Sequence, residues 1–255
     1  MAKITVADFN QQGSTTARID GLSAEPPVPV STVIETGGLS LRLHQIASPP
    51  GARLCWSPPV ADLCIYVVSG AVELDGNRLG AGGCAVVEHG GKVTMTAADE
   101  ARLAVFENMA PSGKAGGTVH FIPAERVPDN RGKVPDTDLA ASALMADASC
   151  ASCDLWLHAN WFPEGMTVGL HYHSEDEIIL VTRGEIILGN RKLGAGTAVS
   201  VAKNATYTFT AGASGMDMIN FRAGSPVAIQ AKTKHQIDEA GFFLSRCGHP
   251  EHSYV

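Results

Sequence analysis

Two imidazoles and one carboxylate lie close together in the run Gly165-x5-His171-x-His173-x3-Glu177-x6-Gly184. Alternate side chains of a β-strand share a face, so His171 and His173 are expected to point the same way. A turn after His173 would bring Glu177 back beside them on the next strand. Glycine suits the turns at the strand ends. Two histidines and one carboxylate form a metal site with open coordination positions, so this run predicts an enzyme.

The segments around this run predict the strands that must position it. Short apolar runs follow one another at roughly ten-residue spacing, separated by Gly-rich turns. They occupy positions 178–181, 185–188, 197–201 and 207–210. This pattern is typical of a β-sandwich or β-barrel.

The chain also repeats itself. Positions 41–97 align without a gap with positions 155–211, and 18 of the 57 aligned residues are identical. Gly70 falls on Gly184 in this register. Two copies indicate two similar domains, whereas a solenoid needs three or more short units.

The motif resembles the first conserved motif of the cupin superfamily, with every fixed position filled. The second cupin motif, G-x5-P-x-G-x2-H-x3-N, begins at Gly196. Ala202, Asn204, Tyr207 and Ala211 replace its Pro, Gly, His and Asn. With the repeat, the resemblance implies a bicupin. Its fold class is all-β, with two tandem cupin-type double-stranded β-helix (jelly-roll) barrels and a few short helices.

The expected organisation has five parts: an N-terminal arm at 1–35, a degenerate cupin domain at 36–110, a linker at 111–150, a metal-binding cupin domain at 151–222 and a tail at 223–255.

Two short helices are expected outside the barrels. In the linker, Asp136-Thr-Asp138 offers an N-cap before the apolar segment 139–145. In the tail, the segment beginning at Asp238 could belong to a second helix.

In cupins of this kind, the two His, the Glu and the second-motif His bind one divalent metal. The resemblance therefore implies His171, His173 and Glu177 as ligands, with Tyr207 in the place of the fourth. Tyr207 could ligate as a phenolate, act as an acid, base or hydrogen-bond donor to substrate, or only fill the barrel. A three-ligand site favours Fe(II), with Mn, Ni or Zn possible.

The first copy lacks these ligands. In the repeat register Ser57, Pro59, Leu63 and Val93 stand for the two His, the Glu and the Tyr. The N-terminal barrel is expected to be metal-free and to pack against the second barrel or to form a dimerisation surface.

Two other features invite a chemical interpretation. His44 and His158 match across the repeat, and because the metal-free copy keeps its His, a structural role is favoured. Cys150-Ala-Ser-Cys153 is a lone CxxC. A redox or zinc role would need a partner pair or a thioredoxin-like context, and the sequence displays neither.

Composition bounds the function class. The formal net charge of -7 argues against nucleic acid and against a polybasic membrane contact. No apolar run is long enough to span a bilayer, and the N-terminus lacks the apolar core of a secretion signal. Most of the six cysteines stand singly in apolar stretches, which favours a reduced, cytoplasmic location. A small-molecule substrate and a homodimer are expected.

Three functions remain open. The first is a metal-dependent oxidoreductase of the dioxygenase type, acting on a small metal-chelating organic substrate, with Tyr207 catalytic. The second is an isomerase or lyase in which the metal acts as a Lewis acid. The third is a non-catalytic ligand-binding or sensory cupin.

Overall fold

The protein is almost entirely built from β-strands. The computed structural model describes residues 4–10, 18–35, 39–110, 112–132, 140–147, 149–224, 227–251 and 253–254. The strands of the first half are β1 (Ile4–Asp8), β2 (Leu22–Glu25), β3 (Val30–Ile34), β4 (Leu41–Ser48), β5 (Arg53–Trp56), β6 (Leu63–Ser69), β7 (Ala71–Leu74), β8 (Asn77–Gly80), β9 (Cys84–Val87), β10 (Val93–Ala97), β11 (Ala101–Asn108) and β12 (Val119–Ile122).

The second half contains the remaining strands and the α-helix. Its strands are β13 (Ala141–Ala146), β14 (Leu155–Phe162), β15 (Thr167–His173), β16 (Glu177–Leu188), β17 (Arg191–Gly194), β18 (Thr197–Val201), β19 (Tyr207–Ala223), β20 (Val227–Gln230), β21 (Gln236–Asp238) and β22 (Ser253–Tyr254). A 3-10 turn spans Ala124–Arg126, and helix α1 spans Glu239–Cys247. The all-β prediction is confirmed.

The N-terminal barrel consists of two antiparallel sheets. One has the strand order β2-β5-β10-β7-β8, and the other β22-β12-β9-β6-β11-β4-β3. Side chains alternate between two apolar clusters along β6. Leu63 and Ile65 lie in the cluster that fills the barrel, whereas Cys64 and Tyr66 lie in a second cluster, which also includes residues of the other barrel.

The C-terminal barrel depends on two long strands. The first part of β16 pairs with β18, and its last part pairs with β17. The start of β19 pairs with β15, and its end pairs with β14. Register shifts interrupt the β16–β19 ladder, and such irregularities bend paired strands. Each long strand therefore contributes to more than one wall of the barrel.

The chain ends connect the two barrels. Strand β1 of the N-terminal arm pairs with β18 of the C-terminal barrel, while β22 of the tail pairs with β12 of the N-terminal barrel. Each end thus adds a strand to the barrel more distant in sequence.

A reciprocal pair of hydrogen bonds also joins the barrels. Asp62 and Asp176 are equivalent in the repeat, and so are Ser40 and Asp154. The backbone N–H of Asp154 donates to Asp62 Oδ2 at 3.2 Å, and the backbone N–H of Ser40 donates to Asp176 Oδ2 at 2.7 Å. In each barrel, therefore, the equivalent aspartate accepts a hydrogen bond from the equivalent backbone N–H of the other barrel.

The helix predicted at 139–145 is wrong where the structure describes it. Residues 141–146 form strand β13, which pairs with β14. The segment is rich in Ala, Leu and Met, but tertiary strand pairing overrides helix propensity. The expected N-cap at 136–138 lies outside the described residues.

The helix expected in the tail is confirmed. Helix α1 begins after Asp238, whose side chain accepts a hydrogen bond from the backbone N–H of Gly241. Within the described ranges, no helix has the length and apolar character needed to cross a membrane.

Candidate functional site

A pocket of about 660 Å³ lies in the C-terminal barrel. Its size is typical of sites for small organic molecules. The walls are mostly apolar and include Phe162, Met166, Val168, Phe209 and Met218. One part of the lining is polar and is formed by His171, His173, Glu177, Tyr207, Arg222 and Glu239.

Strand pairing brings the four residues predicted from the sequence into this pocket. His171 of β15 is the cross-strand partner of Tyr207 on β19, and their ring centroids are 4.4 Å apart. The rings of His171 and His173 are 4.9 Å apart. Glu177 begins β16, and its Oε2 lies 3.7 Å from His173 Nε2. All four residues therefore face one cavity.

Tyr207 acts as a hydrogen-bond donor here. Its hydroxyl donates to Glu177 Oε2 at 2.5 Å and lies 3.4 Å from His173 Nε2. Burial and the neighbouring Glu177 raise the pKa of Tyr207 well above its ordinary value. The residue is therefore a neutral phenol at physiological pH.

Arg222 is a site residue that the sequence reasoning missed. It is the cross-strand partner of Glu177, and its Nη2 lies 3.0 Å from Glu177 Oε1. Its Nη1 bonds Glu239, the first residue of α1. Arg222 is 2% exposed, so one buried guanidinium holds two buried carboxylates.

The charges in this cluster are coupled. Burial raises the pKa of Glu177, but the Arg222 guanidinium, the neighbouring His173 and hydrogen bonds from Tyr207 and Asn220 together bring it to about 2. Burial likewise raises the pKa of Glu239, but the charges and hydrogen bonds of Arg222 and His173 together bring it well below its ordinary value. Both carboxylates are therefore ionised at neutral pH.

His173 lies between these charges. Its Nδ1 is 3.0 Å from Arg222 Nη1 and 3.1 Å from Glu239 Oε2. A guanidinium only donates and an ionised carboxylate only accepts. The nitrogen can therefore hydrogen-bond only one of the two at a time, according to its protonation.

His171 has a defined tautomer. Its Nδ1 is 2.8 Å from the backbone oxygen of Gly169. A carbonyl oxygen only accepts, so Nδ1 carries the hydrogen and a neutral ring keeps its lone pair on Nε2. Burial and then His173 lower the pKa of His171. The ring therefore offers a free basic nitrogen at neutral pH.

The three predicted metal ligands have suitable chemistry but are not assembled around one point. Among the described His, Cys, Asp and Glu residues, the one group of three or more with ligand atoms within 4.8 Å of one another lies elsewhere. Arg222 already places a positive charge against Glu177 and His173. The three side chains share the pocket without converging on one point, and metal binding by His171, His173 and Glu177 stays a prediction.

Acid is expected to weaken the fold through Glu177. Because its pKa falls from 4.5 unfolded to about 2 folded, its ionisation stabilises the protein above about pH 4.5. That contribution is lost as the pH falls towards 2. The difference corresponds to about 3 kcal/mol. Denaturant unfolding at pH 7 and pH 3 measures about 2 kcal/mol of this difference, because Glu177 is still ionised in the folded protein at pH 3. Glu177→Gln should reduce the loss of unfolding free energy between the two pH values.

Glu164→Gln serves as the control for this experiment because Glu164 is exposed. It should leave the pH dependence of the wild type unchanged. Equal acid sensitivity of the wild type and Glu177→Gln would contradict the assigned role of Glu177.

The equivalent positions in the N-terminal barrel lack such chemistry. Leu63, the counterpart of Glu177, and Val93, the counterpart of Tyr207, are both buried in the apolar cluster that fills this barrel. At these positions the first barrel therefore has apolar core side chains, whereas the second has polar side chains that line its pocket.

His44 and His158 are both buried and hydrogen-bonded. His44 Nε2 lies 2.7 Å from Glu107 Oε2. The indole N–H of Trp156 donates to His158 Nδ1 at 2.7 Å. Burial, together with Arg222, lowers the pKa of His158 to about 3. These contacts support the structural role expected of both residues.

The CxxC segment has partners that its sequence context concealed. Cys150 and Cys153 lie with Glu88 and His120 in the group whose ligand atoms are within 4.8 Å of one another. Glu88 directly follows β9 and His120 lies on β12. The alternation of side chains along paired strands could have indicated the positions of Glu88 and His120. It could not have indicated that the CxxC loop lies beside them.

Comparison with solved structures establishes the fold. The chain is similar to the E. coli protein YlbA, with a TM-score of 0.66, 12% identity and coverage of 87% of this chain and 90% of that one. A cupin 2 conserved barrel domain protein from Leptotrichia buccalis matches with a TM-score of 0.54 and 11% identity, over 86% and 96%. A salicylate 1,2-dioxygenase from Pseudaminobacter salicylatoxidans matches with a TM-score of 0.58 and 9% identity, over 77% and 76%.

No family model and no curated protein matches the chain. The identities to solved structures are low, so these likenesses show a shared fold and leave function to the site. The expected pair of cupin barrels is confirmed.

Proposed function

We propose that this bicupin chain is an enzyme that transfers protons on a small carbonyl compound bound in the C-terminal barrel. One observation carries the proposal: an apolar pocket of about 660 Å³ has a neutral imidazole, His171, beside a phenol, Tyr207, in its polar part. A base and a hydrogen-bond donor next to one cavity suit isomerisation or elimination.

The residues take distinct roles. His171 Nε2 accepts a proton from a carbon next to the substrate carbonyl, and the Tyr207 hydroxyl donates a hydrogen bond to the oxygen that gains negative charge. Turning from Glu177 towards the substrate leaves that carboxylate with two other donors, Arg222 and Asn220. Glu177 therefore remains hydrogen-bonded while Tyr207 serves the substrate.

A metal-dependent oxidoreductase of the dioxygenase type is the second candidate. It is favoured by the His171, His173 and Glu177 donors in one pocket and by the fold shared with a salicylate 1,2-dioxygenase. Bound Fe(II) would supply oxygen activation. The homodimer and the cytoplasmic location stay predictions.

The test uses the full chain after dialysis against a chelator. Small ketones, aldehydes and keto acids are screened by thermal shift, and each ligand is then incubated with protein in D2O under argon. We expect proton NMR to show deuterium entering the carbon next to the carbonyl. His171→Ala and Tyr207→Phe should each slow this exchange about 100-fold or more. His249→Ala, which changes a histidine outside the pocket, should not.

The other outcomes identify the other functions. Turnover that requires both added Fe(II) and oxygen would overturn proton transfer and favour the oxidoreductase. Ligands that stabilise the protein without exchange or turnover would indicate a binding module.

A further inference from the structure

We propose a zinc site, separate from the pocket, formed by Glu88, His120, Cys150 and Cys153. These four residues offer one carboxylate oxygen, one imidazole nitrogen and two thiolate sulfurs, a donor set that suits a four-coordinate structural zinc. Their ligand atoms all lie within 4.8 Å of one another.

The distances are close to those of a tetrahedral site. Cys150 Sγ lies 3.8 Å from Glu88 Oε1 and 3.9 Å from His120 Nε2. Ligand atoms 2.0–2.3 Å from a tetrahedral zinc lie roughly 3.3–3.8 Å from one another. The hydrogen bond between His120 Nε2 and Glu88 Oε1, at 2.5 Å, would open by about 1 Å to admit the ion.

The CxxC loop is preshaped for a thiolate. The backbone N–H of Cys153 donates to Cys150 Sγ at 3.1 Å. Other bonds hold the loop: Lys114 Nζ donates to the backbone oxygen of Cys150, and the N–H of Gly116 donates to that of Ser152. The sulfur of Cys150 is thus positioned by contacts that do not use the other ligand side chains.

Glu88 is likewise oriented by groups outside the ligand set. The Ser152 hydroxyl donates to its Oε1 at 2.7 Å, and the backbone N–H of Thr118 donates to its Oε2 at 2.8 Å. Such second-layer hydrogen bonds are a regular property of metal sites, where they set the direction of each ligand.

The position suggests a structural role. Glu88 follows β9 of the N-terminal barrel, while Cys153 belongs to the apolar cluster shared by both barrels and lies two residues before β14. A zinc ion here would join the segment before β14 to the N-terminal barrel. It would act on the junction of the domains and not on the pocket.

The experiment titrates zinc chloride into the full chain, reduced and stripped with a chelator. We expect one equivalent bound by elemental analysis and a higher melting temperature. Cobalt in place of zinc should give the intense sulfur-to-cobalt absorption of thiolate ligation, which a site made of His171, His173 and Glu177 cannot produce. Cys150→Ser/Cys153→Ser should weaken binding at least 100-fold, and His120→Asn at least 10-fold.

Two controls keep the result specific. Cys55→Ser changes a free cysteine outside the cluster and should bind zinc normally. His173→Ala should also retain the thiolate signal, which separates this site from the pocket. Zinc binding that survives the double cysteine variant would overturn the proposal. The proposal would also be overturned if the reduced wild type took up no zinc. It would likewise be overturned if Cys150 and Cys153 could not be kept reduced and formed only a disulfide with each other.

Discussion

Replacing Arg222 by methionine is expected to lower the free energy of unfolding by about 3–5 kcal/mol, because it leaves two buried carboxylates without their cation. Glu177 is 1% exposed and Glu239 is 8% exposed, so both carboxylates are largely shielded from water. Urea denaturation at pH 7 measures the loss. Without the guanidinium, the pKa of both carboxylates should rise. Arg222→Met should therefore lose less unfolding free energy than the wild type when the pH is lowered from 7.

Two further variants test this explanation. Arg183 forms an ion pair with Asp217 but its side chain is 74% exposed, so Arg183→Met should leave the stability nearly unchanged. Adding Glu177→Gln and Glu239→Gln to Arg222→Met removes the unpaired charges and should recover part of the stability. An Arg222→Met protein as stable as Arg183→Met would contradict the buried ion cluster.

Gly184→Ala is expected to destabilise the protein by about 3–5 kcal/mol. The residue has φ +72°, and a Cβ there would lie 2.1 Å from the backbone oxygen of Gly215. Because that oxygen belongs to the barrel wall, it cannot move away cheaply. The strain lies where β16 pairs with β19. The loss should therefore appear as a lower melting temperature and as a lower stability of the barrel wall around the pocket.

Gly165 provides the matched control. It also has a positive φ, +69°, but a Cβ there would meet nothing within 4 Å. Gly165→Ala should therefore cost only about 1–2 kcal/mol, the backbone strain alone. Equal losses in the two variants would show that the contact with Gly215 does not decide the choice of glycine.

Local periodicity was sufficient to place part of the site. His171 and His173 alternate on one strand, and the turn before Glu177 returns the chain to the next strand, so their shared pocket follows from short-range geometry. Tyr207 was placed by the register of the second cupin motif. The two barrels followed from the ungapped repeat.

The other site residues are brought together by the pairing of strands that are far apart in the sequence. Arg222 is 45 residues from Glu177, and Glu239 comes from the tail helix 66 residues from His173. One sequence pattern does point to Arg222. Alternate positions of one strand carry Met216, Met218, Asn220 and Arg222, so two polar residues lie on an inward face that is otherwise apolar. No local pattern shows which carboxylate such an arginine meets.

The CxxC segment shows the same limit. Its partners, Glu88 and His120, become neighbours only because β9 and β12 pair and the segment before β14 folds back onto them. A motif search along the chain treats Cys150 and Cys153 as isolated. Three-dimensional proximity supplies the missing half of the set.

The reciprocal bonds of Asp62 and Asp176 have a consequence for how the two halves could diverge. The halves meet as the subunits of a twofold dimer meet, each presenting the same contact to the other. Covalent linkage fixes their stoichiometry at one to one and makes their association independent of protein concentration. A substitution in one half is then no longer copied into the other. One interior can be packed solid for stability while its twin keeps a cavity, a division of labour closed to a dimer of identical chains.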